Sequence, residues 1–484
     1  MKSIYKVHKI KMVLGLFVIA YSTSTCKKLV EIDGPFTSTN SSNVYTSDAT
    51  AAAVLTGIYA KMSNQDVANY NNDITGISIF AALSADELTL FNVNDITYSP
   101  FYINDIPTTT GIAFWNRIYS YIFIANSAIE GLSNSSGLTP AIKQQLLGEA
   151  KFIRAFCYFY LVNLYGDVPL TTGTDYKINS LLARAPKAQV YQQLVGDLID
   201  AQAFLSSNYL KSDAFSAYLI GSAERVRPTK WAATALLARA YLYMGDPVNA
   251  EVQATSVINN ATFYSLGSLN TTFLKNSSET IWSLQPVGVG TRANTGAGAL
   301  FILPASGPNT SLNGIYLSNN VVGNFELNDQ RKTNWVGSDT VGSTIYYYPY
   351  KYKIGSVNTT TQEYIMILRL AEQYLVRAEA RAQQNNLSGA QTDLNVVRSR
   401  AGLPGTIAND KASMLKEILH ERQVELFTEW GHRWFDLKRT SNIDAVMITK
   451  CPLKGGTWAS YKALYPIQNT EIAADPNLVQ NTGY

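Results

Sequence analysis

The stretch from Leu415 to Arg439 constrains the chain more than any other. Leu415, Leu419, Leu426 and Trp430 fall four or seven residues apart, the spacing of one apolar helical stripe. Glu421, Glu425, Glu429 and Arg433 recur at every fourth position, so on a continuous helix they stack in one column. Gly431 is the residue type that lets a helix end in the left-handed region, and Trp434, Phe435 and Leu437 then supply apolar bulk for a second short turn.

Two chemistries compete for these charges. Glycoside hydrolysis needs two carboxyls facing each other across a bound sugar, roughly 5 to 10 Å apart. Glutamates stacked along one helix do not straddle a cleft. Arg422, Arg433 and Arg439 alongside them favour the ionised carboxylate, the wrong direction for a general acid. The alternative is an internal ion-pair lattice of Glu421, Arg422, Glu425, Glu429, Arg433, Asp436 and Arg439 joining two helical pieces, and the spacing favours it. His420 and His432 have no ligand-spaced Cys or second His beside them, which argues against a metal site.

The run Glu421-Arg422, Glu425-Leu426, Glu429, Gly431, Arg433, Asp436-Leu437, Arg439 resembles the C-terminal signature of the SusD/RagB outer-membrane lipoproteins. Leu464-Tyr465-Pro466-Ile467, Glu471-Ile472 and Asn477 to Tyr484 are similar to the closing motif of the same family. The resemblance implies a mainly α fold: a tetratricopeptide-like helix-pair scaffold carrying long irregular loops with a few short strands. It also implies a non-catalytic role. Such proteins capture a nutrient oligosaccharide and pass it to a TonB-dependent SusC-like outer-membrane transporter. One branch of the family carries peptides instead.

The N-terminus is read independently of that. Lys2, Lys6, Lys9 and Lys11 precede about ten apolar residues, Met12 to Tyr21, too few to span a bilayer as a helix. Small residues then lead to Cys26, although Thr23 stands where a lipoprotein signal usually has a larger side chain. Residues 1–25 are therefore expected to be an export signal, Cys26 the lipidated residue, and 26–47 a tether. The resemblance implies that the anchored protein sits on the outer membrane and faces the cell surface. Without those four lysines, 35 basic residues face 36 acidic ones. That near-neutral balance lacks the electrostatic footprint of nucleic-acid binding.

Residues 48–484 read as a single domain: an N-terminal half to 261, a loop-rich insertion over 262–360, and a C-terminal region from 361. Helices are predicted from Asp48, an N-cap candidate, to about Met62 and from about Ile112 to Leu132. Three segments share one pattern, Phe152-Ile-Arg-Ala155, Leu237-Ala-Arg-Ala240 and Leu375-Val-Arg-Ala378, each in an amphipathic helix followed by a turn. Helix, tight turn and helix with alanines where backbones approach is how tetratricopeptide repeats are built. The acids of Ser84-Ala85-Asp86-Glu87 are expected to hold a loop by accepting backbone N–H groups. Gly288 to Ala293 fits a dinucleotide fingerprint on paper, but Asn294, Thr295, Gly296 and Gly298 are expected to break the helix it requires. Cys157 reads as a small buried hydrophobe, and its pairing with Cys451 stays open.

The chain has 30 tyrosines, side chains suited to wet binding surfaces. Sugars present C–H faces ringed by hydroxyls, so aromatic platforms beside amides and charges suit them. The candidate ligand residues are accordingly Asn94, Tyr98 and Tyr102 in an N-terminal loop, and Arg292, Trp335, Tyr346, Tyr347 and Tyr348 in the insertion. The rival reading, a secreted glycosidase, would need Glu326, Asp329 or Asp339 as its acids. No cofactor is expected.

Overall fold

The computed structural model describes residues 44–63, 73–109 and 114–484. The expected export signal 1–25, Cys26 and the expected tether up to residue 43 lie outside the described residues.

About half of the described chain is helical, and the strands are short. Helix α1 runs Asp48–Met62, α2 Ile77–Ser84, α3 Phe114–Asn134, α4 Pro140–Tyr165, α5 Lys187–Phe204, α6 Lys230–Met244 and α7 Pro247–Ile258. After the insertion come α8 Leu370–Gln383, α9 Leu387–Arg400, α10 Lys411–Glu425 and α11 His432–Arg439. The strands of three or more residues are β1 Leu88–Leu90, β2 Thr280–Leu284, β3 Ile315–Leu317, β4 Val336–Val341, β5 Thr344–Pro349 and β6 Ile365–Arg369. They form antiparallel pairs, β1 with β3, β2 with β6, and the hairpin β4–β5.

The scaffold is a set of antiparallel helix pairs, α4 with α5, α6 with α7 and α8 with α9. In each, the arginine of the repeated pattern is buried and grips a carboxylate with two nitrogens. Arg154 on α4 holds Asp197 on α5 at 2.8 and 2.6 Å, closing its own pair. Arg377 on α8 does the same to Asp393 on α9 at 2.9 and 2.6 Å. Arg239 on α6 reaches instead to Glu372 on α8, 2.6 Å through each nitrogen, and so ties one pair to the next. Two-pronged geometry is what makes burying such a pair tolerable, because few donors are left unmet. Alanines line the contact: Ala378, Ala382 and Ala390 are fully buried with Leu394, Val397 and Ile418.

The core is aromatic at its centre. Trp282 on β2 meets Phe152 and Phe156 of α4 edge-on at 4.9 and 5.1 Å, and its ring nitrogen donates to Val226 O. Cys157 is buried beside them; it and Cys451 are both free thiols.

Three local expectations change. Ser47, not Asp48, caps α1, accepting from Thr50 N, while Asp48 accepts from the backbone and hydroxyl of Thr139. Asp86 takes the guanidinium of Arg433 and the amide of Asn320 rather than a loop backbone; Glu87 does accept a backbone N–H, from Thr428. A six-residue helix, Gly296–Phe301, does form behind the Gly288 motif, capped by the Thr295 hydroxyl. Gly298 there is a packing glycine: a Cβ would sit 2.2 Å from Ile354 O. The dinucleotide reading still fails, since β2 pairs antiparallel with β6 and belongs to no βαβ unit.

Candidate ligand-binding face

The charged residues near the C-terminus are buried. Helix α10 stops at Glu425, and Thr428 and Trp430 both take positive φ before Gly431 does, at 73°. The expected column therefore ends at Glu425; Glu429 lies in the turn and Arg433 on α11. Their partners come from elsewhere. Arg331, in the insertion, donates to Glu421 at 2.5 Å and Glu425 at 3.0 Å. Arg369 reaches Glu425 at 2.5 Å, Glu429 at 2.8 Å and Glu279 at 2.9 Å. Arg400 joins Glu279 and Glu425, and Lys351 joins Glu429. Arg422 bonds Asp436, which also accepts from Arg439, and Arg439 grips Glu379. Burial alone would raise the Glu425 carboxyl, but Arg400, Arg369 and Arg331 hold it well below the usual range. A carboxylate so bound has no proton to donate to a leaving group. Two of the three glycosidase candidates fare no better: Glu326 is hydrogen-bonded by Arg398, which with neighbouring cations keeps it low, and Asp329 is buried against Arg331, while Asp339 stands on β4 opposite Tyr346.

This lattice fastens the insertion to the helices, since Glu279, Asp329, Arg331 and Lys351 all belong to 262–360. It also accounts for Trp335. That side chain has no exposed surface, its ring nitrogen donates to Leu269 O at 2.8 Å, and Lys351 Nζ lies 5.0 Å from its centroid. Trp335 is thus a cation-packed core residue and not a sugar platform. Tyr98 and Tyr102 are corrected likewise. Tyr98 packs on Phe80 at 5.6 Å, and Lys454 Nζ stands 5.4 Å from the Tyr102 ring.

What remains forms an aromatic surface where the N-terminal loop meets the hairpin. Strand β1 pairs with β3, and Phe91 N continues the ladder to Gly314 O. The loop then folds on its own side chains: Asn92 accepts from Asn94 N, and Asp95 accepts from Thr97 N and Tyr98 N. Phe91, 44% exposed, and Asn94 stay at the surface. Tyr346 on β5 meets Phe91 edge-on at 6.4 Å and Tyr316 on β3 at 5.2 Å. Tyr348 covers Gly337, whose missing Cβ leaves room for the ring, and meets Tyr350 at 5.9 Å. Strand alternation turns Tyr346 and Tyr348 to one side of the hairpin and Tyr347 to the other, so the three tyrosines do not form one platform. Arg292 is exposed in the separate turn Gly290–Arg292. Burial raises the Tyr316 and Tyr348 phenols, leaving neutral hydroxyls that both donate and accept near neutral pH. Sequence reasoning missed Phe91 and Tyr316. The alternation of Ile315-Tyr316-Leu317, with its outer residues buried, is the signal for the second.

Among the described residues no group of three or more His, Cys, Asp or Glu could hold a metal ion, and no helix is long and apolar enough to cross a membrane.

The chain is a helix-pair scaffold with a buried ion-pair lattice and aromatic side chains on its loops. Two family models match it in succession: the one described as "Starch-binding associating with outer membrane" over residues 37–242, and the SusD family model over 309–484. The chain belongs to the SusD family. A SusD-like protein of Formosa agariphila is 23% identical, the alignment covering 98% of this chain and 100% of that one. Among solved structures, a SusD superfamily protein of Bacteroides vulgatus superposes with a TM-score of 0.75 at 20% identity, over 90% of this chain and 99% of its own. A laminarin-binding SusD-like protein gives 0.71 at 23% identity, over 91% and 100%.

Proposed function

We propose that this protein is a lipid-anchored, non-catalytic glycan-binding protein of the outer-membrane surface. It captures an oligosaccharide on the face made by Phe91, Asn94, Tyr316, Tyr346 and Tyr348 and hands it to a TonB-dependent SusC-like transporter. Cys26 carries the lipid. The observation that carries the binding site is the edge-on placement of Tyr346 between Phe91 and Tyr316, which joins two loops distant in sequence into one half-exposed aromatic surface. Such rings cover sugar C–H faces, and the amide of Asn94 and the tyrosine hydroxyls meet the hydroxyl rim. The family's description as starch-binding and the laminarin-binding relative support a glycan. The arginine-bound carboxylates support a role without hydrolysis.

The test is affinity electrophoresis of the chain lacking residues 1–25 through gels carrying laminarin, starch and other neutral polysaccharides. At least one should retard the wild type, and Phe91→Ala with Tyr346→Ala should lose most of that retardation. No new reducing ends should appear in the same polysaccharides. If no polysaccharide retards the protein, or the double variant runs like the wild type, the proposed face is wrong.

A further inference from the structure

A second concave surface shares no residue with the loop face. A groove of about 550 Å³ lies between α3, the segment from Pro169 to Ser180, and the short helix Asn469–Ala474. That volume is within the range of small-ligand sites, roughly 300 to 1,000 Å³. We infer that this groove is a second carbohydrate subsite, one that takes a neutral oligosaccharide segment and rejects anionic ones. The inference rests on the glycan-binding reading above and extends it to a second site.

Three observations carry it. The first is aromatic exposure. Phe123 and Tyr176 line the groove from opposite elements and are 53% and 73% exposed, while Trp115 and Tyr119, 5.0 Å apart, line the same groove. A single exposed ring is ordinary, but two that share a concave lining with two further rings offer stacking surface to a ligand.

The second is an imbalance of hydrogen-bonding groups. The donors in the lining are largely committed. Asn126 gives its amide N–H groups to Thr171 O and Gly173 O, Asn179 gives one to Gly173 O, and the Tyr119 hydroxyl donates to Pro169 O. The carboxylates are less committed: one Asp475 oxygen accepts from Asn477 N at 2.9 Å. Glu471 and Asp475 lie one turn apart in the lining, and neither has a salt-bridge partner among the described residues. Like charges at that spacing repel. No Lys or Arg is among the described lining residues. Ring faces beside open acceptors match a ligand with C–H faces and hydroxyl donors, and they repel uronate or sulfate.

The third is preorganisation. Arg154, already fixed by Asp197, donates to the Asn126 oxygen at 2.8 Å, so the groove's floor is tied to the helix scaffold rather than left to a loop.

The experiment titrates laminarin and short neutral laminari-oligosaccharides, with polygalacturonate as the anionic arm, into four proteins by calorimetry. These are the wild type, the loop-face variant Phe91→Ala/Tyr346→Ala, the groove variant Phe123→Ala/Tyr176→Ala, and the combination. Both groove residues are exposed, so the fold should survive, and unchanged thermal unfolding checks this. A second site predicts residual neutral-glycan binding in the loop-face variant that the combination abolishes. It also predicts roughly tenfold weaker binding of the long polymer to the groove variant, through lost avidity. Glu471→Gln/Asp475→Asn should weaken that residual binding, and polygalacturonate should not occupy the groove. If the loop-face variant alone abolishes all binding and the groove variant matches the wild type, the second site is refuted while the first stands. If the wild type binds no neutral glycan, both readings fall together.

Discussion

Arg331 Nη1 lies 3.0 Å from Glu425, and through that contact the insertion is bolted to the C-terminal helices. Both side chains are fully buried, and the same nitrogen donates to Glu421 at 2.5 Å while the opposite edge of the guanidinium grips Asp329. Replacing Arg331 by Met keeps much of the volume but leaves the buried Asp329 without its cation and takes one partner each from Glu421, which keeps Arg398, and Glu425, which keeps Arg369 and Arg400. Removing one partner of a buried pair costs about 3 to 5 kcal/mol, because the orphaned charge stays. Arg331→Met should therefore lower stability by at least that much in urea unfolding. A variant as stable as the wild type would mean the lattice is solvated.

Trp335 and Tyr346 should separate stability from recognition. Trp335 is fully buried, so Trp335→Ala should cost about 3 to 5 kcal/mol, while the folded fraction still binds glycan with wild-type affinity. Tyr346→Ala should do the reverse, changing the unfolding midpoint little and weakening glycan binding severalfold or more. Measuring both quantities on both variants decides it; equal effects on affinity would return Trp335 to the binding face.

Why one tryptophan could be misassigned and the helix pairs could not is a matter of range. Helix pairing shows locally, as an Arg-Ala step on an amphipathic stripe followed by a turn. Glu421 and Glu425 also show locally, by their spacing. Their partners do not: Arg331 and Arg369 come from 90 and 56 residues away, and no periodicity connects them. The repeated arginines carry the same lesson, with partners 43, 133 and 16 residues off. Trp335 reads as a loop aromatic because its helix, Gln330–Trp335, is only six residues long and its neighbours are polar. Tyr346, Tyr347 and Tyr348 stand together as candidates by composition, and the strand alternation visible in Thr344 to Tyr348 separates them. The proposed ligand face draws on the two loops that the sequence singles out, and Phe91 and Tyr316 join it only through the strand pairing between β1 and β3.

Gly431 tests the junction between α10 and α11. Its φ of 73° disfavours any side chain, and a Cβ would approach Ala81 Cβ to 2.9 Å and Phe435 to 3.1 Å. The left-handed backbone alone costs a non-glycine residue about 1 to 2 kcal/mol, and the contact with α2 adds to it. Gly431→Ala should be destabilising by at least about 1 kcal/mol by chemical unfolding, with glycan affinity kept in the folded fraction. A neutral result would show that α2 and α11 can slide apart.

Glu87 makes the protein's stability depend on pH in a direction that can be assigned. It is buried, and burial first, then the charge of Asp86, pushes its carboxyl from 4.5 up to about 8. Between those values the folded protein keeps a proton that the unfolded chain has released. The contribution of Glu87 is therefore fully present below about pH 4.5 and is lost as pH rises through about 8. Glu87→Gln supplies a neutral side chain at every pH and keeps an oxygen to accept from Thr428 N, now 3.3 Å away. Relative to the wild type, the variant should gain stability steadily between pH 5 and pH 8, reaching a few kcal/mol, with a flat difference at lower pH. Paired urea titrations across that range cancel the other ionising groups common to both proteins. A difference that stays constant with pH would show that Glu87 is already charged in the folded state, with Arg433 or Lys351 compensating it.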